Sequence, residues 1–402
     1  MTTAHEAVAR TARTSYGRLL AYLAVRSRDL VACEDALSEA FAAALRTWPE
    51  RGIPDQPDAW LLAVARRRLV DQGRHAQVRE RAVETLIMRA TEVPETDERL
   101  PLLFVCAHPA IDVAARTPLM LQVVLGLDAA TIARAFLVSP ASMAKRLVRA
   151  KQKIKRAGIP FEVPEREHWA PRLAAVLDAI YAAFARDFDL GAAPEDPTLA
   201  QDRHREALHL AEVVTGLLPD EPEALGLLAL LCHVDARRIA RRDSEGGYVP
   251  LDQQDPTAWD AGRIQQAEKA LRRAAPHAVL GRFQLEAAIQ SCHVARHRDG
   301  VDTRAEVVEL YATLVELTGT VGAALGHAAA MATLHGPKAG LTCLDTMNAP
   351  QLQQHQPWWA VRADLLRRAG DPKADEAYEK AIALTQDPAA RQWLQDRQAT
   401  QP

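Results

Sequence analysis

Lys145, Arg146, Arg149 and Lys153 recur along one short stretch of this chain, and no acidic residue interrupts the run from Pro140 to Arg156. Such groups donate hydrogen bonds to phosphate oxygens, and an arginine fork can also grip the acceptor edge of a guanine. Arg146 and Arg149 are the candidates for base edges. Lys145, Lys151 and Lys153 suit phosphates or simply solvate the face. For this the stretch must be a helix. Ser139 stands at an N-cap position and Pro140 follows at the first helical position, where its missing N–H costs nothing. Met143, Leu147, Ala150 and Ile154 recur at helical spacing and supply an apolar stripe for a core. Ala141 and Ser142, at the helix start, are small enough to let the backbone approach a groove. A shorter helix, Ala129 to Phe136, precedes it across a tight turn. Together they suit the major groove of DNA, and a solvated basic helix is the plainer alternative. Leu137 occupies the turn position where glycine is common, and a leucine at positive φ would be strained.

Two earlier segments carry further polar groups on helical patterns. In Asp35–Trp48 the residues Leu37, Phe41, Ala44, Leu45 and Trp48 fall on one face, with Glu34, Asp35, Ser38 and Glu39 on the other. A Pro/Gly/Asp loop, PERGIPDQPD, follows at 49–58. The next helix runs from Ala59 to about Arg74, with Leu61, Val64, Ala65 and Leu69 as its core stripe. Trp60, Arg67 and Arg74 are seven apart and share another face; Arg66 lies beside them. The arginines can neutralise phosphates. Trp60 can stack on an unpaired base or pack into the core.

The chain has 402 residues, 48% hydrophobic and 25% charged, with 5% aromatic, a balance expected of a soluble, multidomain, all-α protein. There is no run of eighteen apolar residues and the first residues lack the apolar core of a signal peptide, so no membrane contact and a cytoplasmic location are expected. Cys33, Cys106, Cys232, Cys292 and Cys343 are widely spaced, as reduced thiols are. Three sit near histidine (His108, His233 and His293), but without a paired CxxC they read as buried structural residues rather than metal ligands. No glycine-rich phosphate loop, HExxH or GxSxG occurs, so no enzyme, catalytic residue, metal or cofactor is expected. Charge is uneven: residues 1–160 hold 24 Lys+Arg against 17 Asp+Glu, and the remainder 25 against 35. A basic front half suits a polyanion.

Composition shifts divide the chain into 1–77, a charged linker at 78–97 broken by Pro94, a second small helical unit at 98–160, and a long helical region at 161–402. Near the end, GPKAG at 336–340 returns as GDPKAD at 370–375, and Trp358, Leu365, Ala374, Tyr378 and Ala381 approximate the spacing of a tetratricopeptide repeat. Upstream, 204–235 and 306–347 read as helix pairs without the full pattern. Asp235, Arg237, Arg238 and Arg241 form a charged cluster, read either as an intrahelical ion-pair row or as a surface docking the region onto the front half.

These segments together resemble a bacterial sigma factor of the extracytoplasmic-function type, of the subgroup with a long tetratricopeptide-like C-terminal extension. EDALSEAFAAALRTW at 34–48 is similar to the segment that grips the polymerase clamp, AWLLAVARRRLVDQGR at 59–74 to the segment that melts and reads the minus-ten element, and LDAATIARAFLVSPASMAKRLVRAKQKI at 127–154 to the region that reads the minus-35 element. DARRIAR at 235–241 and LDQQDPTAW at 251–259 look like signature segments of the extension. Arg67, Ser38 and Leu137 depart from the family pattern, which often has Asn, Gln and Gly there. The resemblance implies core RNA polymerase and promoter DNA as partners, a peptide or protein partner for the extension, and promoter-specific initiation under the extension's control. Polymerase contact falls to Asp35, Ser38 and Glu39. The minus-ten element falls to Trp60, Arg66, Arg67 and Arg74, and the minus-35 element to Ala141, Ser142, Lys145, Arg146, Arg149 and Lys153. Asp235, Arg238 and Arg241 take the interdomain role. A one-component regulator with a ligand- or peptide-sensing extension, and a peptide-binding scaffold, are the alternatives from the residues themselves.

Overall fold

Caps written in the sequence set the first boundaries. In the computed structural model, which describes residues 3–73, 98–124, 126–136, 138–165, 168–185, 197–347 and 350–400, helix α1 spans Ala4–Ser27. Thr3 caps it: its hydroxyl takes the Glu6 N–H at 3.2 Å while the Glu6 carboxylate takes the Thr3 N–H at 2.8 Å. Helix α2, Leu30–Arg51, starts on the Asp29 side chain and runs past Pro49 to Gly52, which has φ +87. The expected loop at 49–58 is therefore shorter at both ends. Proline removes one hydrogen bond, but its φ is helical, so the helix continues to the glycine. Helix α3 is Pro57–Gly73.

These three helices pack on one another around Leu19, Leu20, Leu37, Leu61, Leu62 and Ala65. Leu37, Ala44 and Trp48 are buried as their spacing requires, Phe41 is half-buried, and Leu45 is 43% exposed. Leu45 stands one residue, about 100°, beyond Ala44 and falls outside the stripe. On α3 the buried face centres on Leu61, Leu62 and Ala65, and Val64 and Leu69 sit at its margins.

Helices α4 (Arg99–Cys106), α5 (Val113–Val123), α6 (Ala129–Ala135) and α7 (Pro140–Ala157) follow. Helix α4 packs on α1 and α5, and α7 packs on α5, α6 and α2. Met143, Leu147, Ala150 and Ile154 are all buried, and α7 ends at Gly158, with φ +60. Helix α8 is Ala170–Ala185. The chain divides into two compact units, 1–183 and 184–402, so both short front segments belong to the first unit. The linker at 78–97, Arg74 and the turn residue Leu137 lie outside the described residues.

The second unit begins with α9 (Pro197–Leu217), α10 (Pro222–Ala236), α11 (Ala261–Ala274), α12 (Arg282–Asp299) and α13 (Arg304–Thr318). It ends with α14 (Val321–His335), α15 (Pro337–Thr346), α16 (Gln356–Arg368), α17 (Ala374–Leu384) and α18 (Pro388–Ala399). Each helix packs on the one after it, and α10 also on α12. Trp358, Leu365, Ala374, Tyr378 and Ala381 are buried in one cluster with Leu344, Leu366 and Leu394. The fold is all-α: the described residues contain no strand, only a single bridge between Arg242 and Tyr248.

Candidate nucleic-acid interface

Burial of one face of α7 decides what its other faces present. Ala141, Ser142, Lys145, Arg149 and Lys153 are exposed. Ser139 accepts the Ser142 N–H at 3.2 Å, which closes the first turn. The Arg149 side chain folds back along the helix, its Nε donating to the Lys145 carbonyl at 3.3 Å. Arg146 is half-buried and donates Nη1 to the Ala114 carbonyl at 3.2 Å, so reaching a base would cost it that bond. Val148, 52% exposed among the cations, is an apolar group on this surface that the charge pattern alone did not mark.

Lys151 does not share that surface. Its Nζ lies 2.7 Å from Glu34 of α2, and Lys155 lies 2.7 Å from Asp29, the α2 cap. Burial pushes the Glu34 carboxyl up in pKa, opposed by the Lys151 charge and hydrogen bond. Glu34 thus leaves the polar row expected on α2. Asp35, Ser38 and Glu39 remain exposed, with Glu39 3.0 Å from Arg68 of α3.

The α3 candidates are split by packing. Arg67 is exposed. Arg66 is half-buried, donates to the Tyr22 hydroxyl and lies 4.8 Å over that ring, and burial lowers its pKa. Trp60 is half-buried, edge-on to Trp48 at 5.6 Å between ring centroids.

In the second unit Asp235 receives Arg238 at 3.2 Å and Arg263 of α11 at 3.4 Å. Arg237 donates to Gln290 of α12 and lies over the Trp259 ring; burial, and then Arg241, push its pKa down to about 10. Arg242, which no sequence signal marked, binds Asp387 at 2.5 Å, and Asp387 caps α18. Arg241 is half-buried beside them, its pKa lowered chiefly by burial. Asp235 and Arg237 thus tie the DARRIAR segment to α11 and α12, and the adjoining Arg242 reaches the start of α18.

All five cysteines are free thiols; Cys33, Cys106 and Cys232 are buried, and burial pushes the Cys33 thiol up to about 11. Among the described residues no group of three or more His, Cys, Asp or Glu is placed to hold a metal ion. What the exposed groups can do is electrostatic: α7 offers a cationic strip to a polyanion, and α2 offers carboxylates to a basic surface.

Residues 12–79, which cover most of α1 to α3, match Sigma-70 region 2. Residues 172–275 match a family of unknown function, DUF6596. An uncharacterized protein of Rhizobium meliloti (strain 1021) is 36% identical over 382 residues, which span 92% of this chain and 88% of that protein. No solved structure matches the chain.

Proposed function

We infer the role of this chain from its kinship: it belongs to the same family as the uncharacterized Rhizobium meliloti protein, and its Sigma-70 region 2 suggests a sigma factor role in transcription initiation, with core RNA polymerase as partner. Sigma factors of this kind are not enzymes. The observation that carries the reading is the coincidence of the region 2 match with the three-helix bundle that presents Asp35, Ser38 and Glu39 to solvent. Among the described residues no helix is long and apolar enough to cross a membrane.

The finer reading is an extracytoplasmic-function type factor of three domains, 1–77, 98–160 and 161–402, joined by the linker at 78–97. Asp35, Ser38 and Glu39 meet the polymerase clamp. Arg67 and Arg74 contact the minus-ten strand, with Arg66 and Trp60 bracing that helix from within. The pair α6–α7 acts as a helix-turn-helix on duplex minus-35 DNA, through Ala141, Ser142, Lys145, Arg146, Arg149 and Lys153. The packing of each helix of the second unit on its neighbour supports a tetratricopeptide-like extension, which would take a peptide or protein partner. Asp235, Arg238 and Arg241 keep the extension in its working shape. The extension is required for activity: its acidic charge would be repelled by DNA, which favours contact with protein.

Run-off transcription with core polymerase and the DNA upstream of this protein's own gene tests the reading. The full chain should give a discrete start, and truncation after Pro164 should lower its yield. A truncated chain that transcribes better would make the extension an attached inhibitor. A chain that binds this DNA without polymerase and supports no start would favour the one-component regulator.

A further inference from the structure

The end of α12 gathers three basic side chains on one face, His293, Arg296 and His297, at spacings of three and four residues. Arg237, the residue that ends α10, lies within electrostatic reach of His293 and His297. It is held by neutral groups, Gln290 and the Trp259 ring. Burial acts on His293 first, then Arg237, Arg296 and His297, all of them basic. Its buried Nδ1 has no hydrogen-bond partner among the described residues. Arg296 and His297 also line a cavity of about 510 Å³, together with Asp252, Asp302, Arg304 and Thr333. A volume of that order suits a small molecule. We propose that this cavity binds a small molecule with two linked oxyanion groups, a diphosphate or a polycarboxylate, which Arg296 and Arg304 grip through their guanidinium forks.

The cavity's own carboxylates mark where those oxyanions would sit. Asp302 takes the Arg304 fork at 2.9 and 2.7 Å and the Arg304 N–H at 3.2 Å. Those bonds hold its carboxyl down to about 2, and the Arg296 charge adds to the fall, so an oxyanion here feels both arginines. Asp252 lies 3.1 Å from Arg296 and 3.3 Å from His297. In each pair the carboxylate is the outer partner. Asp252 is 77% exposed, against 22% for Arg296 and 16% for His297. Asp302 is 63% exposed, against 45% for Arg304. Pairs this open hold weakly and are screened by salt. A ligand oxyanion can therefore displace either aspartate at small cost, and the aspartate turns out into water. One oxyanion meets one fork. Two linked groups meet both, and the second then binds at high effective concentration. The positive charge of Arg237 behind the cavity attracts the same sign of ligand. The helix dipole accounts for cations in the last turn of α12, but not for the enclosed Arg237 or for the cavity.

Isothermal titration calorimetry of the full chain with pyrophosphate, ADP and citrate tests the site, against inorganic phosphate and chloride at matched ionic strength. At least one of the three should bind saturably, at one site per chain and about tenfold or more tighter than inorganic phosphate. Tighter pyrophosphate and ADP identify a diphosphate ligand, and tighter citrate a carboxylate one. Arg296→Gln should weaken that binding about tenfold or more, as loss of a charge-assisted hydrogen bond does. Thr333 is exposed, and replacing it alters the charge of the cavity without touching either ion pair. Thr333→Glu should weaken binding about tenfold, and Thr333→Lys should strengthen it. The Thr333 variants decide the matter even where Arg296→Gln fails to fold. Absence of saturable binding by pyrophosphate, ADP and citrate overturns the proposal. Binding left unchanged by Arg296→Gln in a folded chain, or by both Thr333 variants, overturns it as well. Polymerase and DNA are absent from every arm, so the outcome is independent of the sigma factor reading.

Discussion

Gly17→Ala is the smallest change that probes how the first unit is put together. Gly17 lies inside α1, and its added methyl would sit 1.6 Å from the oxygen and 2.6 Å from the carbonyl carbon of Val124. Carbon atoms in contact prefer roughly 3.5–4.0 Å, so α1 or the backbone after α5 must move by about 2 Å. Both neighbours are backbone, and no side chain can swing away. Overpacking of this kind costs about 1–3 kcal/mol, and a backbone clash belongs at the upper end, about 3 kcal/mol. Alanine returns about 1 kcal/mol as the better helix former. The net loss is then about 2 kcal/mol, or roughly 4–8 °C in melting temperature for a unit of this size. Gly216→Ala is the control: Gly216 is exposed on α9, has no atom within 4 Å of the added Cβ, and should leave stability unchanged or slightly raised. Differential scanning calorimetry of the full chain reads both. A Gly17→Ala chain that melts within a degree of the parent would refute the close approach of α1 to Val124.

Reversing Asp35 and Glu39 to lysine should weaken co-purification with core polymerase while leaving the far-ultraviolet circular dichroism unchanged, because the Glu39–Arg68 pair is about half exposed on both sides and worth about 0–1 kcal/mol. Arg149→Ala should cost about 1–3 kcal/mol in promoter affinity and relax preference at one position, whereas Lys153→Ala should weaken all sequences alike and lower the salt slope by about one, both read by fluorescence anisotropy. Burial, then Arg237, Arg296 and His297, push the His293 pKa down to about 3. An unfolded histidine takes its proton near pH 6.5, so the second unit should lose stability as pH falls from about 6.5 to 3, and His293→Gln should flatten that loss in urea titrations.

Local chemistry made much of this chain legible in one dimension. The stripe Met143, Leu147, Ala150 and Ile154 is buried because a helix repeats every 3.6 residues wherever it packs, and Ser139 and Gly158 bound it through hydrogen bonds a few residues long. The set Trp358, Leu365, Ala374, Tyr378 and Ala381 shares one core for the same reason. Periodicity fails where a residue lies at the edge of a stripe, as Leu45 does, since the breadth of the buried face depends on how neighbouring helices cross. It fails more fully for long charged side chains, which can turn to any of several neighbours. Lys151 is one more cation on a basic helix until Glu34, 117 residues earlier, is packed against it. Arg66 finds Tyr22 across 44 residues, and Arg242 finds Asp387 across 145. The sequence by itself determined which helices form and which faces they bury, because those follow from short-range geometry. Only the tertiary structure decided which cations stay exposed and which pair within the protein, because an ion pair depends on where two distant helices bring their ends.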